Sequence, residues 1–308
     1  MVFTAPSVVE ILDVDEPTPA PGEVIVDVAA AGICGSELHG IQTPGFRQPP
    51  LVMGHEFAGT TSDGRRVVIN PIVSCQECDL CKRDLQNLCR TRSVVGIHRA
   101  GGFAERVAVP ETNVFEIPDE MSFTTAATIE PLANALHAWH LANDPDAKRV
   151  GIIGAGTIGL VCLLMSKLQG AQHVSVADLS DERLDVVRKL GADETGPALE
   201  GEFDVIFDAV GVPATHTASV EKLRPGGATV WLGLISDEAH FNSHDLIRME
   251  KRVLGMFAYP PRDFQETIPL AMQVETNWTT DFPLEEGAGI FTELMNGRTD
   301  VVKALLRP

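Results

Sequence analysis

The chain has 308 residues, 43 acidic side chains against 24 basic, a formal charge of −19 and six cysteines. That negative charge repels phosphate backbones and anionic lipid, and no stretch supplies an offsetting basic patch, so the expected partner is a small molecule, with no nucleic acid and no membrane. Cysteines too sparse for a secreted disulfide scaffold, an N-terminus "MVFTAPSVVEILDVDEP" that turns acidic before any signal-peptide core, and apolar runs well short of the ~18 residues that cross a bilayer all read as a cytoplasmic protein.

At roughly 150 residues per domain, the length predicts two domains. The first 125 or so residues are short β-rich pieces punctuated by glycine and proline, "EVIVDVAAAG", "EFAGTTSDGRRVVINP", "FAERVAVP" and "NVFEIPDEM", as in a compact antiparallel barrel or sandwich. From "TIEPLANALHAWHLA" onward, apolar strands alternate with helical patterns: "RVGIIGAG", "TIGLVCLLMSKLQG", "HVSVADLS", "DERLDVVRKLGA", "FDVIFDAVG", "THTASVEKLRPGG", "ATVWLGL". Such alternation signals right-handed βαβ units around a doubly wound parallel sheet, an α/β fold. Beyond "KRVLGMFAY" the alternation stops, and pattern alone assigns the remainder to neither domain.

Within the first part, Cys75, Cys78, Cys81 and Cys89 follow the spacing C-x2-C-x2-C-x7-C. This lets four thiolates converge on one tetrahedral zinc with the lobe 75–89 folded around it; reduced, unliganded loop cysteines are the alternative. A four-thiolate site has no open coordination position, so it contributes folding energy, and any metal chemistry must use other ligands.

In the second part "GAGTIG", Gly154 to Gly159, lies between a predicted strand and a predicted helix. Its glycines allow a tight turn and close approach to a pyrophosphate, the helix start offers unpaired N–H groups, and Asp178 follows a second strand about 20 residues on. The carboxylate of Asp178 suits the ribose hydroxyls and repels a 2′-phosphate, so NAD(H) is expected over NADP(H). Arg183 leaves two readings, stacking on adenine or meeting a phosphate.

Candidate ligands for an open metal site stand in "GICGSELHG" and "GHEFAG". Cys34 is a lone thiol in a polar loop, whereas Cys162, within "TIGLVCLLM", reads as packing. His55 and Glu56 follow at a glycine turn, and Glu130 is a carboxylate among apolar residues in "TIEPLANALHA". Each also has a plain structural reading: His55 as a hydrogen-bonded loop histidine, Glu130 as a helix cap.

Taken together, these motifs resemble the zinc-dependent medium-chain dehydrogenases of the alcohol dehydrogenase superfamily over nearly the whole chain, and "EPLANALHA", with Glu as the third ligand, is similar to the sorbitol, threonine and butanediol dehydrogenase branch. The resemblance implies a GroES-like catalytic domain at 1–131 with the zinc lobe, a Rossmann NAD-binding domain at 132–256, and a return to the catalytic domain at 257–308. It implies two zinc ions per chain, the catalytic one on Cys34, His55 and Glu130 with Glu56 as an adjacent or exchanging carboxylate. Ser36 would then hydrogen-bond the reacting oxygen and His39 pass its proton on, although His39 also reads as an ordinary surface histidine. Cofactor contacts are implied at Gly154, Gly156, Thr157, Ile158, Gly159, Asp178, Arg183, Gly233, Leu234, Phe257 and Tyr259. A homodimer or homotetramer, pairing through the strand near "KRVLGMFAY", is implied as well.

The expected activity is hydride transfer between NAD(H) and a secondary alcohol, ketone or vicinal diol. Alternatives are a polyol, amino-cyclitol or other biosynthetic-intermediate dehydrogenase of the same family, and a non-enzymatic NAD-binding relative, against which the intact Cys34, His55 and Glu130 argue. Three positions depart from the polyol branch. Glu37 replaces the usual Asp, and its extra methylene is expected to loosen the Cys34 loop. Gly40 and Ala258 stand where that branch carries an aromatic residue and an arginine, with Tyr259 retained, so the outer pocket is expected to lack groups that hold several hydroxyls.

Overall fold

The computed structural model describes residues 1–43, 45–298 and 300–308. The chain divides into two compact units, one made of Met1–Glu130 with Pro260–Pro308 and the other of Pro131–Tyr259.

The first unit is organised by the strand Glu23–Gly32, in which Val26 and Val28 are buried while Asp27 between them is exposed, the period-two alternation of a sheet with one face on a core. It pairs antiparallel with Glu56–Thr61, with Arg106–Pro110 and with the last strand, Lys303–Arg307. Phe57, Phe103, Met53, Ile69, Phe291 and Leu306 pack into the core beside this sheet. The register sets Gly32 opposite both Glu56 and Leu305. One end of three strands therefore collects the segments that carry Cys34, His55, Glu56 and Lys303. The "CQECDLC" stretch leaves the body of the unit as a loop closed by a two-stranded ribbon, Ile72 opposite Val94, and is shaped by the 3-10 turns Cys81–Arg83 and Gln86–Leu88.

The second unit is built on six parallel strands in the spatial order Glu194–Gly196, His173–Ala177, Arg149–Ile153, Phe203–Asp208, Leu223–Trp231, Arg252–Gly255. Numbered within the unit, this is the 3-2-1-4-5-6 order of a Rossmann fold, whose strand order reverses between Arg149–Ile153 and Phe203–Asp208. The helices Thr157–Leu168, Asp181–Lys189 and Pro213–Glu221 supply the crossovers. Cys162 is buried in the first of them, where burial pushes its thiol pKa up and packing is its role. The third strand, Glu194–Gly196, arises from a stretch with no strand-like pattern; parallel pairing with His173–Ala177 imposes it. No helix among the described residues is long and apolar enough to cross a membrane.

Candidate functional site

The four lobe cysteines converge. Cys75 and Cys89 Sγ lie 3.5 Å apart, Cys78 and Cys81 3.5 Å, Cys75 and Cys81 3.8 Å, and Cys78 and Cys89 4.0 Å. These separations are far beyond the ~2.05 Å of a disulfide. They match the edge of about 3.8 Å that follows from tetrahedral zinc–sulfur bonds of about 2.3 Å. Burial and the neighbouring sulfurs push the Cys81 thiol up, while the Cys75 N–H and Thr91 pull Cys89 down. Four crowded thiols cannot all ionise against one another unless a cation joins them, so the donor set fits zinc.

A second group forms at the sheet end. The ligand atoms of Cys34, His55 and Glu56 lie within 4.8 Å of one another, with His55 and Glu56 buried and Cys34 partly so. Behind them stands Glu37, fully buried in the short helix Gly35–Gly40. Its Oε1 lies 2.9 Å from His55 Nδ1 and accepts from Gly54 N at 3.1 Å, and its Oε2 accepts from Cys34 N at 3.0 Å. A carboxylate on Nδ1 fixes the imidazole tautomer and presents the other ring nitrogen to the group, where it contacts the Cys34 sulfur. Burial alone would lower the His55 pKa, but the charges of Glu37 and Cys34 outweigh it and raise it. Glu37 does not leave the Cys34 turn loose: its one carboxylate engages three backbone and ring nitrogens, which clamps the Cys34 turn to the His55 turn.

Lys303 joins the group through Glu56. Its side chain is entirely buried, donates to Ile33 O at 3.0 Å and pairs with Glu56. Burial would depress its pKa, yet the charges of Glu56, Cys34 and Glu130 raise it. Gly32 makes room for the pair, since a Cβ there would overlap Glu56 Oε2 and come 2.7 Å from Lys303 Cε. Glu130 is buried near the start of Ile129–Ala142 and close enough for Lys303 to feel its charge. Ser36 and His39 are exposed on Gly35–Gly40. A soft sulfur, an imidazole and carboxylates around one point suit a zinc site with an open position. Gly40 leaves no void: a Cβ there would overlap Arg47 Nη1 and come 2.8 Å from Phe46 Cδ1, so the guanidinium fills the space of the missing side chain.

In the other unit, Gly154, Gly156, Thr157, Ile158 and Gly159 form the turn at the C-terminal end of Arg149–Ile153. Gly154 has φ 98°, and a Cβ on Gly159 would overlap the Gly154 carbonyl oxygen, so the turn closes only on glycine. Asp178 spans it from the neighbouring strand, accepting from Ala155 N at 2.6 Å and from Ser180 N at 2.9 Å. Arg183 lies on the first turn of Asp181–Lys189, its N–H donating to Ser180 Oγ at 3.3 Å. Gly233 packs backbone to backbone against Gly211, Leu234 and Phe257 are exposed, and Tyr259 is buried. Ala258 adopts φ 47°, so any larger residue there must also take a left-handed backbone.

Two family models match the chain, the alcohol dehydrogenase GroES-like domain over residues 20–119 and the zinc-binding dehydrogenase over residues 157–273. Galactitol 1-phosphate 5-dehydrogenase of Escherichia coli is 32% identical over 259 residues, 76% of this chain and 75% of that enzyme. The chain belongs to the zinc-containing medium-chain dehydrogenase family. L-threonine 3-dehydrogenase of Pseudoalteromonas atlantica is 31% identical over 272 residues, 80% of each chain. An E. coli alcohol dehydrogenase solved with NADH superposes at a TM-score of 0.92 and 28% identity, covering 100% of this chain and 98% of that one. This medium-chain dehydrogenase is accordingly a zinc-dependent oxidoreductase acting on alcohols with a nicotinamide dinucleotide.

Sequence reasoning undervalued Glu37 and missed Arg47, Lys303 and a framework in the dinucleotide unit of this medium-chain dehydrogenase. There Asp208 Oδ1 accepts from Val210 and Gly211 N, both at 3.0 Å, and its Oδ2 lies 2.9 Å from His216 Nδ1. The His216 ring stacks on Trp231 at 3.9 Å between centroids, which fastens the turn after the fourth strand. A buried aspartate followed by "AVG" is the signal that was available.

Proposed function

We propose that this enzyme transfers hydride between NAD(H) and a small secondary alcohol or its ketone, vicinal diols included, with the unit of residues 1–130 and 260–308 as its catalytic half. Cys34, His55 and Glu130 would hold the catalytic zinc, Glu56 would stand as the adjacent carboxylate, and Cys75, Cys78, Cys81 and Cys89 would hold the structural one. When bound, zinc supplies an electrophile that acidifies an alcohol, and NAD supplies the hydride acceptor. The chain's own residues orient and move the proton. Glu37 fixes His55 and the Cys34 turn, Ser36 would hydrogen-bond the reacting oxygen, and His39, exposed on the same helix, would take up the released proton and pass it toward solvent. Lys303 pairs with Glu56 and cancels its charge, so a proton can leave the reacting hydroxyl without an uncompensated carboxylate beside it. Asp178 favours NAD(H) by meeting the ribose hydroxyls.

The observation that carries this reading is the Cys34, His55 and Glu56 trio with Glu37 buried behind it. The strand Arg252–Gly255, at the edge of its sheet, supports assembly as a homodimer or homotetramer. The test is NAD+ reduction over alcohols, diols and polyols with zinc quantified in the same preparation. Zinc-dependent turnover of secondary alcohols is expected; a zinc-loaded, NADH-binding protein that oxidises none of them would overturn the proposal.

A further inference from the structure

Arg47 is 3% exposed, and its Nη1 donates to Ser36 O at 2.9 Å while Nε and Nη2 are buried without a hydrogen-bond partner. In the planar guanidinium, Nε–H and Nη2–H lie on the same edge and point the same way, the fork that receives two oxygens of one carboxylate or phosphate. Two unpaired donors of a buried cation are costly to a fold that gains nothing from them. The carboxylate whose charge reaches Arg47 is already engaged: Glu37 is held by His55, Gly54 and Cys34.

The place is prepared for this side chain. Gly40 sits at the end of Gly35–Gly40 and is not among the residues with positive φ, so no backbone strain calls for glycine there. Its missing side chain is what admits the guanidinium. Arg47 rests on Ser36, two residues from Cys34, and feels the Cys34 charge. Phe46 lies with its ring centroid 5.1 Å from the Arg47 guanidinium carbon and is 47% exposed, so its ring has solvent to turn into and space for a ligand can open beside Arg47.

We infer that Arg47 is a substrate-binding residue whose Nε and Nη2 grip a carboxylate or phosphate, and that the substrate is an anionic secondary alcohol. This rests on the dehydrogenase reading above and narrows its substrate class. A hydroxyl oxidised at the Cys34 group, with the anionic group held a few bonds away at Arg47, would be oriented by two fixed points, which a neutral diol lacks.

The test compares a hexitol, its 1-phosphate and the matching aldonate as substrates of the zinc-loaded enzyme with NAD+. At least tenfold higher kcat/KM is expected for one anionic member over the hexitol, and which one separates phosphate from carboxylate. In Arg47→Met this ratio is expected to fall at least tenfold through KM, with partial recovery in Arg47→Lys; NADH binding and the melting temperature report whether each variant is folded. Calorimetry with inorganic phosphate and with tartrate on the NADH-loaded wild type decides the anion site even where no alcohol turns over, and binding weakened at least tenfold in Arg47→Met supports it. Oxidation of neutral alcohols with no anionic preference and no anion binding would overturn the Arg47 inference and leave the dehydrogenase standing. No NAD+ reduction by any substrate would instead overturn the dehydrogenase reading.

Discussion

Glu37 Oε1 lies 2.9 Å from His55 Nδ1 while Oε2 of the same carboxylate accepts the Cys34 N–H at 3.0 Å, so one buried side chain fixes two candidate metal ligands at once. Glutamine at this position keeps the size but replaces one accepting oxygen with a donor, which cannot accept from both turns. Glu37→Gln is expected to weaken zinc binding at the catalytic position by about 10- to 100-fold. Competition with a fluorescent chelator measures it. Unchanged affinity would show that His55 is oriented by something else.

The two ligand groups should separate in metal analysis. Purified protein is expected to hold two zinc ions per chain, Cys34→Ser to retain one and lose turnover, and Cys78→Ser to lower the melting temperature or aggregate. Three sulfurs cannot close a tetrahedral shell, and the folding energy that the ion supplies to the lobe goes with it. Elemental analysis with thermal melting checks both. A Cys78→Ser protein as stable as wild type would remove the structural role.

How much of this was legible in the sequence depended on how local each chemistry is. The lobe and the glycine turn are contiguous, so spacing alone conveyed their geometry, and the parallel sheet followed from alternation, though not its strand order and not Glu194–Gly196, whose three residues owe their strand to a neighbour. The surroundings of Cys34 were not local. Lys303 reaches Ile33 across 270 positions, and that contact exists only because the last strand pairs with Glu23–Gly32 in one register. Arg47 was hidden for a different reason. Glycine at position 40 reads as an absence of side chain, and only packing reveals that another residue occupies the space.

Asp178 braces the glycine turn through Ala155 N at 2.6 Å, and its carboxylate is also the one proposed to meet the cofactor ribose. Wild type is expected to use NAD+ at least tenfold more efficiently than NADP+. Asp178→Ala removes the repulsion toward a 2′-phosphate but also loosens the turn, so KM should rise for NAD+ while the gap narrows to about threefold or less. Steady-state kcat/KM for both dinucleotides checks this. A native preference for NADP+ would overturn it.

The Glu56 and Lys303 pair gives the most demanding expectation, because both side chains are buried at the sheet end and a charge left alone there has no solvent to turn to. Lys303→Met should destabilise the protein by about 3–5 kcal/mol, whereas Lys303→Met combined with Glu56→Gln should recover most of that loss, since the uncompensated charge rather than the missing bond dominates. Gly32→Ala should cost about 1–3 kcal/mol by pressing a methyl group against both partners. The Lys303 pKa is raised in the folded protein, so its contribution is complete below the ordinary lysine range and is lost only as pH rises through the folded value; urea unfolding at neutral pH therefore reads the pair at full strength. A double variant no more stable than Lys303→Met would show that Glu56 draws its compensation from another group.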